Sequence, residues 1–196
     1  MPLGERCEEA LRRFDEANAA DPRRETADGE EHPKELIYGR RMSAWLDRIA
    51  PDAPEVVRLA VRAQHIRRWE IPRESYPMDR PGYRAWRTDL GKFHADTAAA
   101  ILREAGYDEE TISRVESLLR KERLKMDPDC QLLEDVACMV FLDHYFEDFI
   151  GEHDEPKLVN IVRRTWAKMS DRGHAAALNL TMSDRARKIV EKALAA

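Results

Sequence analysis

Acidic, amide or imidazole side chains interrupt the apolar stripes of five predicted helical segments, about one helix and loop apart. They are Glu35, Gln64 with His65, His94, Glu122, and Glu134 with Asp135. Because a buried polar group costs free energy unless it has a partner, their recurrence on successive helices predicts that they converge on one interior site. A metal ion or an acidic ligand bound there would offset that cost. We therefore expect a central polar pocket in a helical protein.

The helical neighbours of these residues support their burial. His94 lies on the same side of its predicted helix as Ala98 and Leu102, and Asp135 lies in line with Leu132 and Met139. Such positions exclude water, so an ionised side chain there needs a partner. The pattern therefore favours ligand-type side chains in a dry interior.

Helical periodicity runs through nearly the whole chain. A polar, flexible connection is expected over residues 21–33, and an irregular one over residues 71–82, which contain Pro72, Pro77 and Pro81. The predicted helices cover residues 5–18, 34–50, 54–70, about 82–90, 92–105, 108–123, 129–150, and segments near 155–169, 172–178 and 183–195. We expect one compact all-α domain over residues 1–196.

Composition limits the classes of function. The chain has 43% hydrophobic and 36% charged residues, and its net charge of −5 makes nucleic acid an unlikely partner. No apolar run approaches the roughly 20 residues of a membrane span, so no membrane association is expected. The charged N-terminus lacks a secretory segment, which predicts a cytoplasmic protein. The oligomeric state stays open.

The three cysteines do not have the spacing of a metal-binding motif. On a helix, Cys130 and Cys138 would lie about 12 Å apart, which is too far for a disulfide. We expect these two and Cys7 to be small core residues in a reducing compartment.

The order of the polar residues resembles the HD superfamily of helical metal-dependent phosphohydrolases. Three segments carry the likeness, RLAVRAQHIRR, KFHADTAAAILREAGYDEETISRVESLLRKE and LLEDVACMVFLD. The first is similar to the helix that ends in the family's His-Asp pair, and the last to the helix that supplies its final aspartate. The resemblance covers residues 33–148 as an HD-like core and leaves residues 152–196 as C-terminal helices.

The resemblance also implies roles for single residues. Glu35 takes the place of the family's first histidine, Gln64 and His65 replace its His-Asp pair, and His94 and Asp135 keep the family's residue types. A divalent metal held by His65, His94 and Asp135 would activate a water molecule, with Glu122 or Glu134 completing the site or acting as the base. The mixture of imidazole and carboxylate suits iron, manganese or zinc. The implied substrate-binding residues are Gln64, Arg67, Arg68, Arg84, Arg87 and Lys121.

The chain is also similar to an uncharacterised family, domain-of-unknown-function family 4202, whose members are often labelled glutamyl-tRNA synthetase. Three functions therefore stay open. The first is an HD-like hydrolase acting on a small phosphorylated or nucleotide-type substrate. The second is a catalytically inactive HD-like module that binds an anionic ligand or a partner protein. The third is RNA binding through the basic and aromatic segment at residues 67–87.

Each candidate also has a purely structural interpretation. His94 and His65 would be satisfied by backbone carbonyls, Asp135 would pair with Arg120, and Glu134 would pair with Lys121 or Arg123. The arginines of residues 67–87 would form surface cation–π contacts with Trp69, Tyr83 and Trp86.

Overall fold

The computed structural model describes residues 4–27 and 29–195. Within these ranges the chain forms ten α-helices and one two-stranded sheet, which confirms the predicted all-α fold. The chain divides into two compact units, residues 1–124 and 125–196, and the division falls inside the predicted HD-like core of residues 33–148.

The first unit contains five helices and a short β-hairpin. Its elements are α1 (Glu5–Ala19), β1 (Arg24–Ala27), β2 (Glu30–Pro33), α2 (Lys34–Ile49), α3 (Glu55–Ala63), α4 (Arg80–Glu104) and α5 (Glu109–Leu119). Helix α5 packs against α3 and α4. The fully buried side chains of the first unit include Phe14, Met42, Leu59 and Leu118.

The polar connection predicted over residues 21–33 is wrong in part, because it contains the antiparallel hairpin. Arg24 pairs with Pro33 and Ala27 pairs with Glu30. Gly29 has a φ of +82°, a conformation that glycine adopts without steric cost. The Asp-Gly dipeptide at positions 28 and 29 is a typical hairpin sequence, although Asp28 itself lies outside the described residues.

Helix α4 is one continuous element, whereas the sequence predicted two helices over residues 82–90 and 92–105. The Asp79 carboxylate accepts a hydrogen bond from the Gly82 amide at 2.7 Å and starts the helix. Gly91, at the predicted break, is helical, and a Cβ there would lie 3.7 Å from the Cα of Arg120. Helix α4 therefore passes close to the end of α5 at Gly91, with a spacing that would still accommodate a Cβ in ordinary van der Waals contact.

Helix α3 is shorter than the predicted segment 54–70. The chain leaves it through a turn at Gln64 and reaches Arg67, whose φ of +50° is left-handed. Two 3₁₀ turns, Arg68–Glu70 and Arg73–Ser75, follow. The second lies in the irregular connection predicted over residues 71–82, whereas the first lies in the segment predicted as helix. The turn after α3 carries Gln64 and His65 out of regular helix.

The second unit contains α6 (Pro128–Val140), α7 (Phe146–Glu152), α8 (Glu155–Trp166), α9 (Asp171–Leu178) and α10 (Asp184–Leu194). The last three agree with the predicted segments near 155–169, 172–178 and 183–195. The single helix predicted over residues 129–150 is instead α6 and α7, joined by a π-helical turn over Phe141–Tyr145. Side chains of Asp127, Asp154, Ser170 and Ser183 cap the N-termini of α6, α8, α9 and α10.

Cys7, Cys130 and Cys138 are buried and form no disulfide, as predicted. Across residues 4–27 and 29–195, every helix is too short or too polar to span a membrane.

Candidate ligand-binding cavity

A cavity of about 410 Å³ opens within the first unit. The turn after α3 contributes Gln64 and His65, and the C-terminal end of α5 with the turn beyond it contributes residues 119–122. Helix α4 supplies the longest wall, with Arg87, Thr88, Leu90, Gly91, Lys92 and His94. Six residues predicted from the sequence for one site therefore do meet here: Gln64, His65, Arg87, His94, Lys121 and Glu122.

His94 is buried and has one free ring nitrogen. Its Nδ1 lies 2.8 Å from the Ile66 carbonyl oxygen, so Nδ1 carries the proton and donates it. Its Nε2 is then an acceptor, and no described residue hydrogen bonds to it. Burial lowers the pKa of His94 to about 3, so the ring is neutral.

His65 lies between a carboxylate and a guanidinium. Its Nδ1 is 3.3 Å from Glu35 Oε2, and its Nε2 accepts a hydrogen bond from Arg68 at 2.8 Å. Tyr38 stacks on the ring with centroids 4.0 Å apart. Burial, followed by the positive charge of Arg68, lowers the pKa of His65 well below its usual value. His65 is therefore neutral and held in one orientation.

Glu35 lies between His65 and Arg23. The residue is 3% exposed. Its carboxylate accepts a hydrogen bond from Arg23 at 2.7 Å, while its backbone amide donates to the buried Asp21 side chain. Burial raises the pKa of Glu35 to about 7, against the opposing charges of Arg68 and Arg23. Its burial was predicted, and its direct partners are Arg23 and His65.

The predicted position of Glu122 on a helix is wrong. Helix α5 ends at Leu119, and Lys121 then adopts a left-handed φ of +55°. As a result Lys121 is half-buried at the cavity wall and Glu122 is exposed. Left-handed backbone in a residue with a side chain costs of order 1 kcal/mol, and Lys121 bears this cost on the cavity wall.

The four predicted arginines have different environments. Arg87 is half-buried on the cavity wall, and within the described chain no side chain forms an ion pair or hydrogen bond with it. Arg68 lies over the Trp86 ring at 4.8 Å while it donates to His65. Arg67 is exposed and paired with Glu70, and Arg84 is exposed and outside the cavity lining.

Glu134 and Asp135 belong to the second unit and have their own partners. Asp135 Oδ1 accepts hydrogen bonds from the Ser170 backbone amide at 2.8 Å and from the Gln131 side-chain amide at 3.1 Å. Its Oδ2 accepts from the Ser170 hydroxyl at 2.5 Å. Glu134 lies 3.5 Å from Lys168 Nζ. Asp135 therefore holds the start of α9, and Lys168 is one partner of Glu134. The predicted pairings of Asp135 with Arg120 and of Glu134 with Lys121 or Arg123 stay predictions.

Two of the three predicted metal ligands already accept hydrogen bonds from other residues. His65 Nε2 already accepts from Arg68, and both Asp135 oxygens accept from Ser170. Among the residues that the structure describes, no three His, Cys, Asp or Glu side chains are placed to hold a metal ion. His94 Nε2 is the ring nitrogen best prepared to donate to a cation, because its Nδ1 is fixed by a carbonyl.

Sequence reasoning missed Lys92 and Arg120 as cavity residues. A usable signal existed in the spacing of Arg87, Gly91 and His94, which recur at i, i+4 and i+7 on one helix face. Dividing α4 into two predicted helices hid that relation.

The fold and the cavity together define an all-α protein with a cation-lined cavity that is open to solvent. The chain belongs to the family described as domain of unknown function DUF4202, which matches residues 8–190. No curated protein and no solved structure matches it significantly. The resemblance to the HD superfamily stays a prediction.

Proposed function

We propose that the first unit binds a small anionic molecule in this cavity. The observation that carries the proposal is Arg87, a half-buried arginine on the cavity wall that has no ion-pair partner among the described residues. Withdrawing a cation from water without a partner costs free energy, and a bound anion would restore the lost interaction.

The charges around the cavity favour the same ligand. Its lining contains Arg87, Lys92, Arg120 and Lys121, against a single carboxylate, Glu122. Arg120 is partly neutralised, because it pairs with Asp96 and Glu116. Lys121 also has interactions of its own. Arg87 and Lys92 alone still outnumber Glu122, so the remaining excess is positive, and it attracts anions and repels cations.

The volume suits a small molecule. A cavity of about 410 Å³ lies within the range typical of small-molecule sites, about 300–1,000 Å³. Guanidinium groups match phosphate oxygens in a forked, two-bond geometry. A phosphorylated or nucleotide-type ligand therefore fits both the charge and the space.

The test compares two arginines of α4, one on the cavity wall and one outside it. We expect Arg87→Ala to weaken the binding of pyrophosphate about tenfold or more, since a charged hydrogen bond contributes about 1.5–3 kcal/mol. Titration calorimetry at constant ionic strength measures this. Arg84→Ala removes the same charge from an exposed position and should change the affinity less than about twofold, within the small effect of exposed charges.

Equal losses in the two variants would mean that pyrophosphate responds only to the net charge of the surface. A wild-type protein that binds no pyrophosphate at low ionic strength would contradict the proposal itself.

A metal-dependent hydrolase acting on a small phosphorylated substrate is the second candidate. One observation favours it: His94 presents an unprotonated Nε2 while its Nδ1 is fixed by the Ile66 carbonyl. Elemental analysis of protein purified without chelator, followed by titration with manganese, iron and zinc, tests it together with phosphomonoesterase assays. A protein that takes up none of these metals and hydrolyses no phosphomonoester is not this enzyme.

A further inference from the structure

Two buried acceptors in the cavity lack donors. Gln64 and His94 both line it and are 5% and 4% exposed. Gln64 Oε1 and His94 Nε2 are shielded from solvent, and no described residue hydrogen bonds to either atom. They are the two buried side-chain atoms in the described chain that show this deficit, and both belong to one cavity. Buried polar atoms are usually satisfied, so two such atoms together point to a missing partner.

The missing partner must donate hydrogen bonds, and the surrounding charges decide its type. Arg68 and Arg87 both act to lower the pKa of His94, and they act on His65 in the same direction, together with Lys121. Burial is the main cause that keeps protons off these rings, and the positive charges add to it. The same charges also oppose a metal ion. A neutral donor, such as a hydroxyl group, meets no such repulsion.

The two acceptors, Gln64 and His94, and the cation Arg87 line different parts of the same cavity. Arg87 and His94 are seven residues apart on α4, which is two helical turns, or about 10.5 Å between their backbones. Gln64 lines the same cavity from the turn after α3. A ligand that satisfies all three must therefore carry an anionic group at one end and hydroxyl groups along its body.

We infer that the cavity is specific for a small polyhydroxylated phosphate, whose phosphate group pairs with Arg87 and whose hydroxyl groups donate to Gln64 Oε1 and His94 Nε2. This inference rests on the proposed anion site and adds its specificity. Gln64 and His94 discriminate between ligands because an acceptor left unpaired by a ligand without hydroxyls keeps its desolvation cost.

The experiment compares ribose 5-phosphate with n-butyl phosphate, which has the same charged group and no hydroxyl. Titration calorimetry of the wild-type chain should give about tenfold tighter binding of ribose 5-phosphate. Gln64→Met keeps the length of the side chain and removes the acceptor. It should weaken ribose 5-phosphate severalfold, leave n-butyl phosphate unchanged, and leave the melting temperature of the free protein the same or higher.

The outcomes separate the two proposals. Equal affinities of the wild-type chain for the two phosphates would overturn the specificity and leave the anion site standing. Absence of binding by both would overturn both proposals. Saturable binding of Mn²⁺ or Zn²⁺ that Gln64→Met abolishes would assign the two acceptors to a cation and would also overturn the inference. Gluconate distinguishes the charged groups, because it should bind more weakly than ribose 5-phosphate.

Discussion

Replacing Asp135 by alanine is expected to lower the free energy of unfolding by about 2 kcal/mol, because it leaves three half-buried donors without this acceptor. The carboxylate accepts two hydrogen bonds from Ser170 and one from Gln131. Asp135 is closely packed against α9, since a Cβ on Gly173 would lie only 2.8 Å from Asp135 Oδ1. Urea unfolding followed by circular dichroism measures the loss.

Two further variants define the cause. Asp135→Asn keeps the size and one acceptor oxygen, and the Ser170 hydroxyl can turn to accept from the new amide, so we expect a smaller loss of about 1 kcal/mol. Asp148→Ala removes an exposed carboxylate from the same unit and should stay within about 0.5 kcal/mol of wild type. If Asp135→Ala were as stable as Asp148→Ala, Asp135 would not secure the start of α9.

The second large effect is a pH dependence of stability caused by His94. Its pKa is about 3 in the folded protein and 6.5 in its ordinary state. Below pH 6.5 the unfolded chain therefore binds more protons, and stability is lost as the pH falls toward the folded value. Between pH 6.5 and 4.5 the wild-type protein should lose about 2 kcal/mol relative to His94→Asn, which keeps a donor for the Ile66 carbonyl and does not titrate.

Glu35 supplies a control of opposite sign. Its folded pKa of about 7 lies above its ordinary value of 4.5, so the folded state holds the proton more tightly. Its stabilising contribution is complete below pH 4.5 and is lost as the pH rises toward 7. As the pH rises over this interval, the free energy of unfolding of the wild type minus that of Glu35→Gln should therefore fall. Over the same interval, the free energy of unfolding of the wild type minus that of His94→Asn should rise. Parallel curves for wild type and His94→Asn would show that the ring is not held neutral.

Helical periodicity correctly predicted the burial of five of the seven polar side chains, while His65 is half-buried and Glu122 is exposed. Glu35, Gln64, His94, Glu134 and Asp135 are all at most 5% exposed. Periodicity works here because the face of a helix follows from spacing alone. It does not identify partners, and Ser170, which satisfies Asp135, lies 35 residues further along the chain.

Helix ends were predicted less well, and this altered the expected site. Residue Glu122 was assigned to a helix because no glycine marks the end of α5. The left-handed turn is made instead by Lys121, a residue type that gives no such signal. Gly91 led to the opposite error. Glycine weakens helices, so a break was predicted at this position, but Gly91 lies inside α4, where the backbone of α4 approaches that of Arg120.

The π-helical turn at Phe141–Tyr145 has a consequence for comparing this chain with its relatives. A turn of this kind accommodates one more residue than an α-helical turn, so the residues after it are rotated by about 100° relative to an uninterrupted helix. A relative that lacks the extra residue would keep the same faces only if its alignment contained a single gap between residues 140 and 146. Ungapped alignment across this point would pair inward-facing side chains of one protein with outward-facing side chains of the other.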